Sequence, residues 1–238
     1  NNTGSTGGLN VTGSGAASRD GSGGTIQNTT GDGVLLTGTS QVSLTHMNIN
    51  STGGQGVSGS AVNGFVSDWN SFSANGNATK EGAIRFGSET DPSSTGLTGG
   101  AIGSATETRI DNTLISGSFE RGVSIFNNSG TLTLLDVHGT TIQNSTNGSG
   151  MLLELRDNAV ASADLQNSTF TGNKAAGFQG TGTDTSNLTV NAIGAGGHTN
   201  TFSNNNDGIL IGSAGSADVT TEISNNTFSG NTPGVGIT

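Results

Sequence analysis

The chain has 238 residues with a formal net charge of −10; only 29% of residues are hydrophobic, 42 are glycine, and there is one tryptophan and no tyrosine. Seven Lys and Arg residues with no local clustering along the sequence exclude a phosphate-binding stripe and hence a nucleic-acid partner. The lack of cysteine excludes disulfides and thiolate chemistry, and no apolar run approaches the roughly 18–20 residues of a membrane helix.

Such a composition alone reads as disordered, but it is strongly periodic. The string Asn225-Asn226-Thr227-Phe228-Ser229-Gly230-Asn231 returns as Asn167 to Asn173, as Thr199 to Asn205 and, more loosely, as Trp69 to Asn75. Aligned on the central apolar residue, the copies fall at Ile26, Ile49, Phe72, Ile115, Ile142, Phe170, Phe202 and Phe228. A glycine ladder runs in parallel at Gly33, Gly56, Gly82, Gly122, Gly150, Gly177, Gly208 and Gly234. Spacings in the first ladder are 23, 23, 43, 27, 28, 32 and 26 residues. The 43 implies an insertion of about twenty residues, or one weak extra coil.

In chain order, residues 1–24 are polar apart from Leu9 and Val11 and read as an entering partial coil or a linker. From Thr25 onward, apolar runs of three to five residues alternate with Gly, Asn and Ser: Val34 to Leu36, Val42 and Leu44, Val62 to Val66, and Ala83 to Phe86. Residues 87–105, with Pro92, Glu89 and Asp91, break the pattern and predict a projecting loop. The runs resume at Ile110, Ile115 and Val123 to Phe126, and continue through Leu132 to Leu135, Met151 to Leu155, Leu188 to Val190 and Ile209 to Ile211. No window is helical in period. Each coil therefore holds about three short strands, and stacking predicts an all-β, right-handed parallel β-helix of about eight coils with one inserted loop, spanning 25–238 and about 38 Å long. The Asn three residues after the apolar position (Asn75, Asn173, Asn205, Asn231) predicts a left-handed turn residue and an asparagine ladder. Thr25, Ser71, Thr141, Thr169, Thr201 and Thr227 predict an outer hydroxyl column; Asn48 and Leu114 interrupt it, against the regular array an ice-binding face needs.

The stretch Ile223 to Asn231 with Gly234-Val235-Gly236-Ile237 resembles the right-handed parallel β-helix repeat of pectate-lyase-like proteins, bacterial autotransporter passengers and polymorphic outer-membrane proteins. The resemblance covers roughly 25–238 and speaks for the fold; the same solenoid serves lyases, hydrolases, adhesins and tailspikes. It implies a Gly/Asn/Ser/Thr-rich segment of an extracellular bacterial surface protein. No signal peptide is visible at Asn1, and the last residues, Gly234 to Thr238, stop within a repeat, so an excerpt of a longer chain or an end-to-end stacked filament is expected.

Stacking turns a sequence column into a patch, so chemistry is sought in columns. Four residues before the apolar position lie Thr45, Asp68, Asp111, His138, Gln166, His198 and Ser224; six before lie Ser43, Val66, Arg109, Asp136, Asp164, Gly196 and Glu222. Asp68, Asp111, Asp136, Asp164, His138 and Arg109 would share one outward sheet face. Two readings follow. A stiff rod keeps acidic groups outward against aggregation and binds a host surface, matrix or glycans through its loops. Alternatively, Asp68, Asp111, Asp136 and His138 serve a carbohydrate-active β-helix, with paired carboxylates as acid and base. His46, His138 and His198 fit no zinc spacing. No cofactor is expected; Asp157–Asn158 and Asn206–Asp207 would at most hold a structural Ca2+ ion. Trp69 and Phe65 either form a sugar-stacking spot or fill the core beside the insertion. Asn-x-Ser/Thr triplets such as those at Asn144 and Asn187 are expected by chance in this composition.

Overall fold

A computed structural model describes residues 8–91, 93–194 and 199–232. Among them the fold is a parallel β-helix: three parallel sheets, with the chain passing from the first to the second to the third and back. The first sheet includes Ser40–Thr45, Val62–Asp68, Thr108–Asp111, Thr131–His138, Val160–Gln166, Asn187–Ile193 and Asp218–Ser224. The second is an eight-stranded ladder of short strands centred on the apolar column, from Gly24–Gln27 to Thr227–Ser229. The third runs from Val34–Thr37 through Gly82–Phe86, Arg121–Asn127 and Met151–Leu155 to Asp207–Ser213.

The apolar column stacks in register, Ile26 on Ile49, Ile49 on Phe72 and so on to Phe202 on Phe228. Register forces like onto like: the rings of Phe170 and Phe202 stack at 5.0 Å and 5°, and those of Phe202 and Phe228 at 5.2 Å and 13°. Both centroid distances lie in the roughly 4.5–7 Å range of favourable aromatic pairs, and the register holds the rings parallel. The thin core is thereby one continuous column rather than a set of separate clusters.

The asparagine ladder forms. Asn205 Oδ1 accepts from Asn173 N at 2.9 Å and from Asn173 Nδ2 at 3.0 Å, and Asn231 Oδ1 accepts from Asn205 N at 3.0 Å. Its residues are not the left-handed ones, however. Positive φ falls one residue earlier, at Ser51, Ala74, Gly117, Asn144, Gly172, Asn204 and Gly230. One left-handed residue turns the corner, and that turn directs the next side chain inward, where its amide satisfies backbone groups.

A second buried ladder lies at the other corner, two residues before the apolar column. Met47 N donates to Asn70 Oδ1 at 2.7 Å, Thr140 N to Ser168 Oγ at 3.2 Å, Ser168 N to Asn200 Oδ1 at 3.0 Å, and Asn200 Nδ2 to Asn226 Oδ1 at 2.9 Å. Again a left-handed residue precedes it, at His46, Trp69, Asn112, Gly139, Asn167 and Asn225. The repeated small polar pair in the sequence is this corner: one residue to turn, one to cap.

The glycine column is a site of close approach. A Cβ on Gly122, Gly150 or Gly177 would lie 2.7, 2.7 and 2.8 Å from the carbonyl oxygen of the next coil's column glycine. In the third coil the column residue is Ala83, not Gly82: Gly82 pairs with Arg121, and Gly56 faces the Ala83 carbonyl. Gly234, Ile237 and the remaining residues after 232 lie outside the described residues, as do Pro92, Gly196 and His198.

Two further segments shape the outer surface. Asn10–Val11 pair with Ser43 and Leu44, which puts part of the 1–24 stretch into the first sheet. The region 87–105 is divided by Leu97–Thr98, which pair with Val62 and Asn63; Leu97 is in the core. One rung of the first sheet is thus built from two pieces, Leu97–Thr98 and Thr108–Asp111, with 100–107 projecting between them. Asn127 fixes the return: its buried Oδ1 accepts from Gly96 N and Leu97 N at 3.0 Å each, and its Nδ2 donates to Leu97 O at 2.6 Å. Beyond Gly87, Glu89 and Thr95 meet the third sheet at Arg121 and Asn127.

Candidate functional site

In the first sheet, side chains alternate inward and outward, so residues two apart share the outer face. Pairing puts Asp111 opposite both Asp68 and His138, and Asp136 opposite both Arg109 and Asp164. All four candidate residues, Asp68, Asp111, Asp136 and His138, therefore come together across three adjacent strands. The column beyond them differs from the sequence count. Asn191 stands opposite Asp164 and Glu222, and Ile193 opposite Ser224, in the places assigned to Gly196 and His198. That coil carries its extra residues between the first and second sheets, so counting four back from Phe202 falls short of Ile193.

Asp111 is the hub. His138 Nδ1 lies 3.0 Å from its Oδ1, and Arg109 Nη1 donates to Oδ2 at 3.3 Å; Arg109 Nε also faces Glu107 at 3.5 Å. Asp68 Oδ1 accepts from Asn112 Nδ2 at 3.3 Å, and Asp164 Oδ2 from Gln166 Nε2 at 2.8 Å. Asp136 is only 8% exposed. Burial pushes its carboxyl above the usual carboxylate range, and the negative charges of Asp164 and Asp111 push the same way against His138 and Arg109. Chemically this face offers a histidine oriented by a carboxylate, beside a carboxyl that resists ionisation. A depression of about 170 Å³, lined among others by Ser43, Val66, Ser104, Glu107 and Arg109, opens where the 100–107 excursion overhangs the sheet.

The other sequence candidates are dispersed. His46 is buried beneath the entering segment, with Nε2 2.7 Å from Ala16 O. Among the described residues no three His, Cys, Asp or Glu side chains converge as a metal site. Asp157 accepts from Asn128 Nδ2 at 3.1 Å and Asp207 from Asn206 Nδ2 at 3.1 Å. Phe65 is fully buried, edge-on to Phe86 at 4.9 Å. Trp69 instead sits at a left-handed corner, half-buried, with the Arg19 guanidinium 6.0 Å from its ring. The two do not form one sugar platform, and Trp69 is not a core residue.

Basic residues that do not cluster along the sequence gather in space on the third sheet. Arg85, Arg121 and Arg156, three of the seven Lys and Arg residues, meet there with Glu89, Glu120 and Glu154, and the Lys80 backbone joins them by donating to Glu120 and accepting from Arg85. Glu89 holds the 88–96 segment down: its carboxylate is 3.4 Å from Arg121 Nη2, and its carbonyl accepts from Arg156 Nη2 at 2.8 Å. Arg85 and Arg156 lie over the Phe126 ring at 5.1 and 5.9 Å. Arg85 sits in register with Ser124, and Phe126 with Glu154. Arg85, Arg121 and Arg156 stand at three different register positions of the third sheet, so no single sequence column contains them.

No protein-family model, curated protein or solved structure matches the chain.

Proposed function

We propose that the chain is a structural and adhesive segment of an extracellular bacterial surface protein: a stiff β-helical rod whose loops and outer faces contact a host surface, matrix or glycans, with end-to-end or lateral self-association between copies. The observation that carries this reading is the state of the acidic face. Asp68, Asp111 and Asp164 each accept from a neighbouring side chain on the same wall, which is how a wall neutralises itself rather than how it waits for substrate. The two buried ladders support rigidity, since they tie successive coils at both corners of the second sheet.

A second reading rests on the His138–Asp111 contact at 3.0 Å beside the buried Asp136. In a carbohydrate-active β-helix, His138 would take a proton while Asp136 kept one. A depolymerisation screen on acidic and neutral glycans, with Asp111→Asn alongside, separates the two. Binding to cells or matrix without product formation, equal in both proteins, is the expected result. Product formed by the wild type and lost in the variant would replace the rod with the enzyme.

A further inference from the structure

After Gly87 the chain is fastened to the third sheet through Glu89 at Arg121 and Gly96 at Phe126, one step on from the earlier strands Val34–Thr37 and Val57–Ser60. At that step lies a cavity of about 280 Å³, lined by Asp32, Leu35, Gln55, Ser58, Ser60 and Arg85 with Gly59 and Gly87. Its floor holds a large exposed apolar side chain: Leu35 is 59% exposed.

Most of the polar lining is already engaged. Asp32 accepts from Gln55 N at 2.7 Å and from Ser58 Oγ at 2.6 Å. The Gln55 amide donates to Lys80 O at 2.7 Å and accepts from Gly82 N at 2.8 Å. Arg85 differs from its neighbours. Arg109, Arg121 and Arg156 each hold a carboxylate, at 3.3, 2.6 and 2.5 Å. Arg85 makes no ion pair among the described residues: it donates to the carbonyls of Lys80 and Gly87. Its Nη2 has no protein partner there and is not sealed from solvent. A half-buried guanidinium with open donors at the wall of a cavity is a receptor for a planar anion.

We infer that this cavity binds a carboxylate attached to a compact apolar body, the carboxylate on Arg85 and the apolar part on Leu35. A polyhydroxylated ligand is disfavoured because the side chains of Asp32 and Ser58 are engaged with each other and that of Gln55 with backbone groups, so a sugar's hydroxyls would find few free partners. Asp32 sets the orientation, since it repels a carboxylate placed at its end of the cavity.

The test is calorimetric titration of the full chain with hexanoate, hexanol, glucuronate, acetyl-dileucine and acetyl-dileucine amide. Hexanoate is expected to bind at millimolar concentration or tighter. Hexanol and glucuronate should bind about tenfold more weakly or worse, as should hexanoate to Arg85→Gln, because each loses a charge-assisted pair or the apolar contact. Leu35→Asp, at an exposed position and expected to fold as checked by circular dichroism, should abolish hexanoate binding even if Arg85→Gln does not fold. Both carboxylate sources support the site: acetyl-dileucine binding more tightly than hexanoate and than its amide assigns it to peptide C-termini, and hexanoate binding more tightly assigns it to free acids. No hexanoate binding, binding indifferent to Leu35→Asp, or equal binding of hexanol or glucuronate would overturn the inference.

Discussion

Replacing Asn205 by alanine tests whether the ladder holds the coils together. Asn205 is buried; its Oδ1 accepts from the backbone and side-chain nitrogens of Asn173, and its Nδ2 donates to Phe170 O at 2.9 Å. Without that side chain, Asn173 N–H is buried with no acceptor, a cost of about 1–3 kcal/mol, and the lost bond to Phe170 O adds about 1 kcal/mol. The total, about 2–4 kcal/mol, corresponds to about 30- to 1,000-fold in a local opening equilibrium. Stacked repeats need not unfold in one step, so the readout is amide exchange around Asn173 together with the urea midpoint. Asn204→Gly is the control: it keeps a left-handed residue at φ 55° and touches no ladder bond. Loss of protection around Asn173 in Asn205→Ala, with Asn204→Gly close to wild type, is the expected pair of results. Protection unchanged within about 0.5 kcal/mol would refute the claim that the ladder is an energetic element, leaving it a by-product of repetition.

Two other perturbations probe the outer faces. Asp136 binds its proton more tightly in the folded than in the unfolded chain, so stability should fall as pH rises from the ordinary carboxylate range through its raised folded value. Asp136→Asn should therefore raise the melting temperature at neutral pH, with the gain vanishing at acid pH; a gain that persists in acid would contradict the linkage. Glu89→Ala removes a part-exposed ion pair with Arg121 worth less than about 1 kcal/mol. It should lower the melting temperature by no more than about 4 °C while speeding proteolytic nicking within 88–96 several-fold. An unchanged nicking rate would show that Glu89 does not fasten the segment.

The candidate site was half legible in the sequence. Asp68, Asp111 and His138 share a column because their coils have nearly regular lengths between the first and second sheets, so counting from the apolar residue works. The count fails at Gly196 and His198, where the coil inserts residues at one corner and register, not spacing, decides what stands beside Asp164. The Arg85, Arg121 and Arg156 group was invisible to that frame because third-sheet residues lie beyond corners of variable length. A charge cluster that depends on one loop folding over a sheet leaves no periodic trace.

What the sequence by itself determined is the coil: short apolar runs, one apolar residue per second-sheet strand, and small polar residues at both corners, because like residues must stack on like in a parallel solenoid. What only the tertiary structure decided is how irregular residues use that frame. Whether Asn205 or Asn204 takes the left-handed turn, whether Leu97 enters the core or projects, and whether Arg85 finds a carboxylate all depend on backbone groups and side chains supplied by other coils, about 30 residues away along the chain and about 4.8 Å away in space.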